Sequence, residues 1–256
     1  MGTAVSFDLR RTGDHDAAIA AAVAWFAEVD ERFSTYRSDS EVSRFSRGEL
    51  HPDAMSADLR EVVAACDGLA AVSGGAFDAH RDGRFDPSAY VKGWSVERAG
   101  RILRASGCED WTINAGGDVR VASSDTSRSP WRIGVQHPFD RGATALVLEA
   151  HDLAVATSGR YERGDHIVDP RMGGPATAAA STTVSGADLG VADALATAAF
   201  VLGADGPAWI AAIPGYECWT VLDDGRVLAT DGFPRTIAGV PVRTSGTTDP
   251  LAGRAR

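Results

Sequence analysis

The stretch Gly190-Val191-Ala192-Asp193-Ala194-Leu195-Ala196-Thr197-Ala198-Ala199-Phe200 constrains this chain more than any other. Ala, Leu, Val and Phe fill almost every position, so the helix it forms belongs inside the fold. Two oxygen donors interrupt the apolar pattern. Asp193 and Thr197 are four residues apart and share one face of the helix. A carboxylate is rarely buried without a partner, and two arrangements satisfy it here. One is a bound Mg²⁺, which prefers hard oxygen ligands of this kind. The other is structural pairing near the helix end, with the Thr197 hydroxyl bonded back to the preceding turn.

At 256 residues the chain forms one large domain or two small ones. Its 44% hydrophobic and 23% charged residues are those of an ordinary globular protein. The formal net charge of −10, with no basic stripe to offset it, argues against a nucleic-acid partner. An acidic protein that handles an anionic substrate must neutralise it locally, with a cation or backbone N–H groups. Cys66, Cys108 and Cys218 are far apart and form no C-x-x-C. They read as small buried hydrophobes rather than a disulfide framework or a zinc site. No apolar run is expected to reach transmembrane length, so no membrane segment is expected. The opening residues alternate like a strand and lack a signal-peptide core. The expected location is cytoplasmic; an exported chain trimmed of its signal would read the same.

Residues 3–10 read as a strand and Asp16 to Phe33 as an Ala-rich helix with Ile19, Val23, Phe26 and Val29 at helical spacing. Residues 33–45 read as an irregular polar stretch. A second helix fits Ser56 to Val72, with Ser56 as N-cap and Gly74-Gly75 as the stop. A third is expected to follow Gly93 and run to about Ala105. Short strands follow at Trp111 to Asn114, Val119 to Ala122, Trp131 to Gln136, Ala145 to Glu149 and Leu153 to Thr157. The apolar helix starts near Asp188, another spans Gly206 to Ile213, and a hairpin joins Tyr216–Leu222 to Arg226–Thr230. Strands and helices come in blocks, so the fold class is α+β. One domain over residues 1–236 is expected, followed by a loosely ordered tail at 237–256.

No G-x-x-x-x-G-K-[ST] loop, G-x-G-x-x-G fingerprint or H-E-x-x-H occurs. Gly116-Gly117, between two strand-like runs, forms a tight turn or lets a ligand approach the backbone. Lys92 stands just before the expected third helix, either on the surface or facing a phosphate or carboxylate. His166 ends a strand or acts as a general base near neutrality.

Taken in order, these segments resemble the FAD:protein FMN transferase (ApbE) family. The matching pieces are Met1-Gly2-Thr3, Phe33-Ser34-Thr35-Tyr36 with Asp39 to Phe45, Gly75-Ala76-Phe77-Asp78, and Lys92-Gly93-Trp94-Ser95-Val96. Asn114-Ala115-Gly116-Gly117-Asp118, Trp131 to Pro138, Ala156-Thr157-Ser158-Gly159, His166-Ile167-Val168-Asp169-Pro170 and Ala192 to Thr197 continue the series. The resemblance implies an α+β fold with a flavin cleft between two lobes. It implies Mg²⁺-dependent transfer of FMN from FAD to a Thr or Ser hydroxyl of an acceptor protein, with AMP leaving. It further implies that Asp193, Thr197 and the Ala89 carbonyl hold the metal. The resemblance also implies flavin contacts at Met1, Tyr36, Ala76, Phe77, Asp78, Asp86, Lys92, His166 and Ile167, with Tyr36 and Phe77 expected to flank a ring. His166 is the nominated base, with Asp193 as the alternative. The stretch from Asp78 to Asp86 is abbreviated, with Ala79-His80 where the family usually has Pro and a hydroxyl residue. Two other readings share these residues: an FAD pyrophosphatase giving FMN and AMP, and a flavin-binding protein without turnover.

Overall fold

The computed structural model describes residues 2–10, 15–81, 83–160 and 167–234. The chain is α+β, as its blocks of elements imply. Seven strands form one antiparallel sheet in the order β1 (Val5–Leu9), β4 (Asp110–Ala115), β5 (Asp118–Ser123), β8 (Leu153–Gly159), β11 (Ala179–Gly186), β12 (Glu217–Leu222) and β13 (Val227–Ala229). Three two-stranded pieces accompany it. They are β2–β3 (His80–Arg81, Arg84–Phe85), β6–β7 (Trp131–His137, Asp140–Ala150) and β9–β10 (Val168–Asp169, Gly174–Pro175).

Each face of the sheet has its own apolar cluster. On one face, α1 (Asp16–Phe33), α4 (Ser88–Ala105), α5 (Leu189–Leu202) and α6 (Gly206–Ile210) bury Trp111, Ile113, Ala154, Ala156, Val184 and Cys218. On the other, the β6–β7 ribbon covers Val119, Val121, Val155, Trp219 and Val221. A third cluster joins α1, α2 (Glu41–Ser46), α3 (Ala57–Val72) and the β2–β3 hairpin to one side of α4 and α5. The cleft lies between this helical lobe and the sheet.

The central helix is buried as its composition requires; Leu189, Ala192, Ala194, Ala196, Ala198, Ala199 and Phe200 are fully enclosed. Its contact with α4 is made by two glycines. A Cβ on Gly93 would stand 2.2 Å from the Leu189 carbonyl oxygen, and one on Gly190 would stand 3.0 Å from the Trp94 backbone nitrogen. The two backbones therefore touch. The continuous stretch Leu189–Ile210 is also long and apolar enough to cross a membrane. That corrects the expectation that no run reaches such a length; 72% of its apolar window is buried inside the molecule, as in a core helix.

Three other expectations change, and one strand was not expected at all. The stretch after Phe33 is not irregular throughout: Ser40 caps α2, accepting the Ser43 N–H at 3.1 Å. The helix carrying Lys92 begins at Ser88, before rather than after Gly93, because Asp86 accepts the Ser88 N–H at 3.0 Å and Pro87 suits a helix start. Strand β11, in the middle of the sheet, matches none of the expected strands. Its sequence Ala-Ala-Ser-Thr-Thr-Val-Ser-Gly neither alternates nor looks apolar, yet every residue is buried. Its hydroxyls pair across strands, Thr183 with Thr157 at 2.9 Å and Thr182 with Thr220 at 3.1 Å. Helix α6 ends at Ile210 instead of Ile213. The tail after residue 234 lies outside the described residues.

Candidate functional site

Where the helical lobe meets the sheet, a cavity of about 620 Å³ opens. Its wall draws on Gly2 and Thr3, the loop after α1, the Ala76–Ala79 turn, the start of α4, the ends of β8 and the β9–β10 hairpin. Asp193 and Thr197 on α5 complete it.

Local chemistry fixes each contributor. Ser40 and Ser43 both donate to the Ser34 carbonyl, at 2.7 and 3.4 Å, and so hold the loop that carries Tyr36. The Ser73 hydroxyl accepts the Phe77 N–H at 3.0 Å and pins the turn Ala76-Phe77 just after the positive-φ pair Gly74-Gly75. Asp78 accepts the His80 N–H at 2.7 Å, and Asp86 donates its own N–H to Ala79 at 2.8 Å. The abbreviated segment thus closes as a short hairpin that sets Arg81 on the cavity wall.

Lys92 and Asp193 line the floor, and Asp118 is buried behind Lys92. The Lys92 Nζ lies 2.6 Å from Asp118 Oδ2 and 3.7 Å from Asp193 Oδ2. Asp118 also accepts the Thr157 N–H at 3.1 Å. Burial pushes the Asp118 carboxyl above the usual carboxylate range, while Lys92 and the Thr157 N–H pull it back. One turn along from Asp193, the Thr197 hydroxyl donates to the Asp193 carbonyl at 3.2 Å and lies 3.3 Å from the Ser158 hydroxyl. The back-bond expected of a helical threonine is present, and it leaves lone pairs of Oγ1 for a cation. Among the described residues no three His, Cys, Asp or Glu side chains converge as a metal centre. Asp193 and Thr197 present a carboxylate and a hydroxyl to the cavity, and Ala89, whose carbonyl the resemblance implies as a third donor, lines the same wall. This hard, all-oxygen set fits Mg²⁺ and offers nothing to a soft metal.

The structure gathers Tyr36, Ala76, Phe77, Asp78, Asp86, Ala89, Lys92, Ile167, Asp193 and Thr197 around one cavity. Met1 and His166 lie outside the described residues; their chain neighbours Gly2 and Ile167 line the cavity. Tyr36 and Phe77 differ sharply in environment. Tyr36 is 97% exposed at the rim, whereas Phe77 is 4% exposed and packed into the helical lobe. Lys92 stands inside α4 rather than on a turn before it. Gly116 meets the segment that leads into β1, since a Cβ there would stand 2.3 Å from Thr3 Oγ1. Sequence reading gave no role to Arg81, or to Asp118 and Ser158 beyond the motifs containing them. An acid opening a strand of otherwise apolar and basic residues was the available sign for Asp118.

Fold and cleft together define a class: an α+β protein whose cleft, at the junction of helices and sheet, presents hard oxygen donors beside a lysine held between two carboxylates. The family model described as "ApbE family" matches residues 1–82 and 79–220, and the chain belongs to that family. An FAD:protein FMN transferase of Rhodobacter capsulatus is 36% identical over 156 residues, 57% of this chain and 30% of that protein. One from Vibrio cholerae is 28% identical over 235 residues, covering 69% of this chain and 70% of that one. The match thus spans under a third of the first relative's length and about two thirds of the second's. The solved structure of the flavin transferase ApbE from Vibrio cholerae superposes with a TM-score of 0.80 at 26% identity, over 91% of this chain and 95% of that one. The apo form of the Pseudomonas stutzeri flavinyl transferase ApbE gives 0.75 at 26% identity, over 90% and 94%.

Proposed function

We propose that this chain is an FAD:protein FMN transferase that moves FMN from FAD to a Thr or Ser hydroxyl of an acceptor protein and releases AMP. The carrying observation is the convergence of Lys92, Asp193, Thr197 and Ala89 in a single cleft with the flavin-contact positions. The names borne by relatives in Rhodobacter capsulatus and Vibrio cholerae support the same reading.

The acceptor oxygen attacks the FMN-side phosphorus, a new P–O bond forms, and the bond to the AMP oxygen breaks. Positioning and charge neutralisation govern such a transfer. Lys92 presents its ammonium beside Asp193, fixed by its ion pair with Asp118. Asp193, Thr197 and the Ala89 carbonyl would hold Mg²⁺, which, when bound, neutralises pyrophosphate oxygens and the departing phosphate. His166 takes the proton of the attacking hydroxyl. Tyr36 at the rim provides an aromatic face for a flavin or adenine ring.

The test incubates the protein with FAD, Mg²⁺ and a flavin-acceptor domain and weighs the acceptor by mass spectrometry. One FMN of added mass is expected, absent with EDTA or in Asp193→Ala. His166→Ala is expected to slow transfer about 10²-fold or more, the usual contribution of a general base. Free FMN and AMP without an adduct would make the protein a pyrophosphatase. Bound, unchanged FAD would make it a flavin-binding protein.

A further inference from the structure

Behind the cleft, Glu97 on α4 joins three elements. Its Oε1 accepts the Leu189 N–H at 2.9 Å, in the first turn of α5. The same oxygen lies 2.9 Å from Nε of Arg120 on β5, and Arg120 also pairs with Asp152. The Glu97 and Arg120 side chains are only 14% and 5% exposed. Burial pushes the Glu97 carboxyl up, with Arg120 and the Leu189 N–H opposing.

Capping alone does not account for this arrangement. Asp188 already caps α5, accepting the Val191 N–H at 2.9 Å, but Asp188 belongs to the helix's own segment and moves with it. A buried ion pair is a poor source of stability, and an apolar pair of similar volume often does better; its best-attested use is to fix registry. Registry at this crossing is otherwise set by apolar packing and by Lys92, whose Nζ lies 3.7 Å from Asp193 Oδ2 across it. Gly93 lies against the Leu189–Gly190 backbone and Gly190 against Trp94 and Tyr90, and neither glycine has a side chain to lock the contact against sliding. Asp193 lies one turn beyond Leu189 on α5, while Ala89 and Lys92 lie on α4. A small slip between the helices would part Asp193 and Thr197 from Ala89.

We propose that Glu97 is the positioning residue of the cation site: by tying the α5 N-terminus to α4 through the Leu189 N–H, it holds Asp193 and Thr197 in register with Ala89. This rests on the Mg²⁺ reading of those three residues.

The test measures affinity for Mn²⁺ alone by water-proton relaxation, with Mg²⁺ as competitor, alongside the urea midpoint, in wild type, Glu97→Ala and Glu97→Gln. Both variants lose the ion pair with Arg120, and both should denature earlier. Only the alanine loses the acceptor for the Leu189 N–H. Mn²⁺ affinity is therefore expected to fall about tenfold in Glu97→Ala, the lower end of the effect of residues that orient metal ligands. It should stay close to wild type in Glu97→Gln. If Glu97→Ala does not fold, Glu97→Asp, one methylene too short to span both partners, should show the same loss. Unchanged affinity in the alanine or aspartate variant, or an equal loss in Glu97→Gln, overturns the proposal and leaves the metal reading intact. Absence of Mn²⁺ binding in wild type removes both.

Discussion

Gly93 is the residue on which the site's geometry turns. A methyl group there would meet the Leu189 carbonyl at 2.2 Å, a backbone atom that cannot swing away. Gly93→Ala must push α5 from α4, and overpacking of this kind costs about 1–3 kcal/mol. The expected outcome is a lower urea midpoint with a disproportionate loss of FMN transfer, because the displaced helix carries Asp193. Lys92 raises a different issue. Asp118 is buried, and Lys92 is its counter-ion at 2.6 Å, so Lys92→Met strands a carboxylate. Breaking such a pair from one side costs about 3 kcal/mol or more. Adding Asp118→Asn should restore most of that stability, read by thermal unfolding, without restoring transfer. Equal stability of the single and double variants would mean that the pair is not coupled.

At the scale of elements, the β9–β10 hairpin carries Ile167, Val168 and Pro170 to the cavity wall. It is braced by Arg171, whose Nε and Nη2 lie 2.9 and 2.7 Å from the two oxygens of Asp169. Those contacts hold the Asp169 carboxyl below the usual carboxylate range. A depressed acid contributes stability above its unfolded value, about 3.9, and that contribution is lost as pH falls through the lower folded value. The hairpin should therefore be indifferent to pH between neutrality and about 5, the top of the window in which such a contribution begins to fade, and loosen only in stronger acid. Carboxylate NMR titration should show the Asp169 midpoint rising in Arg171→Ala. Elements differ in how far sequence exposes them. The α1 and α3 helices were legible because apolar spacing and a serine cap are local signals: Ser56 accepts the Leu59 N–H at 3.1 Å, and α3 ends at Val72. The β11 strand was illegible because both its faces are buried by small residues and paired hydroxyls, leaving no alternation to read. At the site, Asp193 and Thr197 stood out by helical spacing against an apolar background. Glu97 and Arg120 did not, since a charged residue in an ordinary amphipathic helix or strand reads as surface until the partner 23 positions away is seen.

Across the whole molecule, stability and chemistry occupy different layers. The β6–β7 ribbon packs Trp131, Ile133, Val135, Leu146 and Leu148 on Val119, Val121, Val155 and Trp219. None of these residues lines the cavity. The helical lobe is the reverse case, since Phe33, Ala76, Phe77, Val91 and Ile167 belong both to its core and to the cavity wall. Truncating a fully buried leucine leaves a void and costs about 3–5 kcal/mol, depending on how far the site collapses. Its effect on function depends on what relaxes into that void. Leu148 is fully buried opposite Ile133, on the sheet face away from α5. Leu148→Ala should lower the urea midpoint while the transfer rate per folded molecule stays at the wild-type value. Phe77 is also buried, but Phe77→Ala opens the cavity wall itself, so it should raise the KM for FAD as well as destabilise. Both variants need only a denaturation curve and a transfer assay at a temperature where each is folded. A drop in the Leu148→Ala rate at full folding would show that the ribbon supports the cleft through the sheet, and that the two layers work as one.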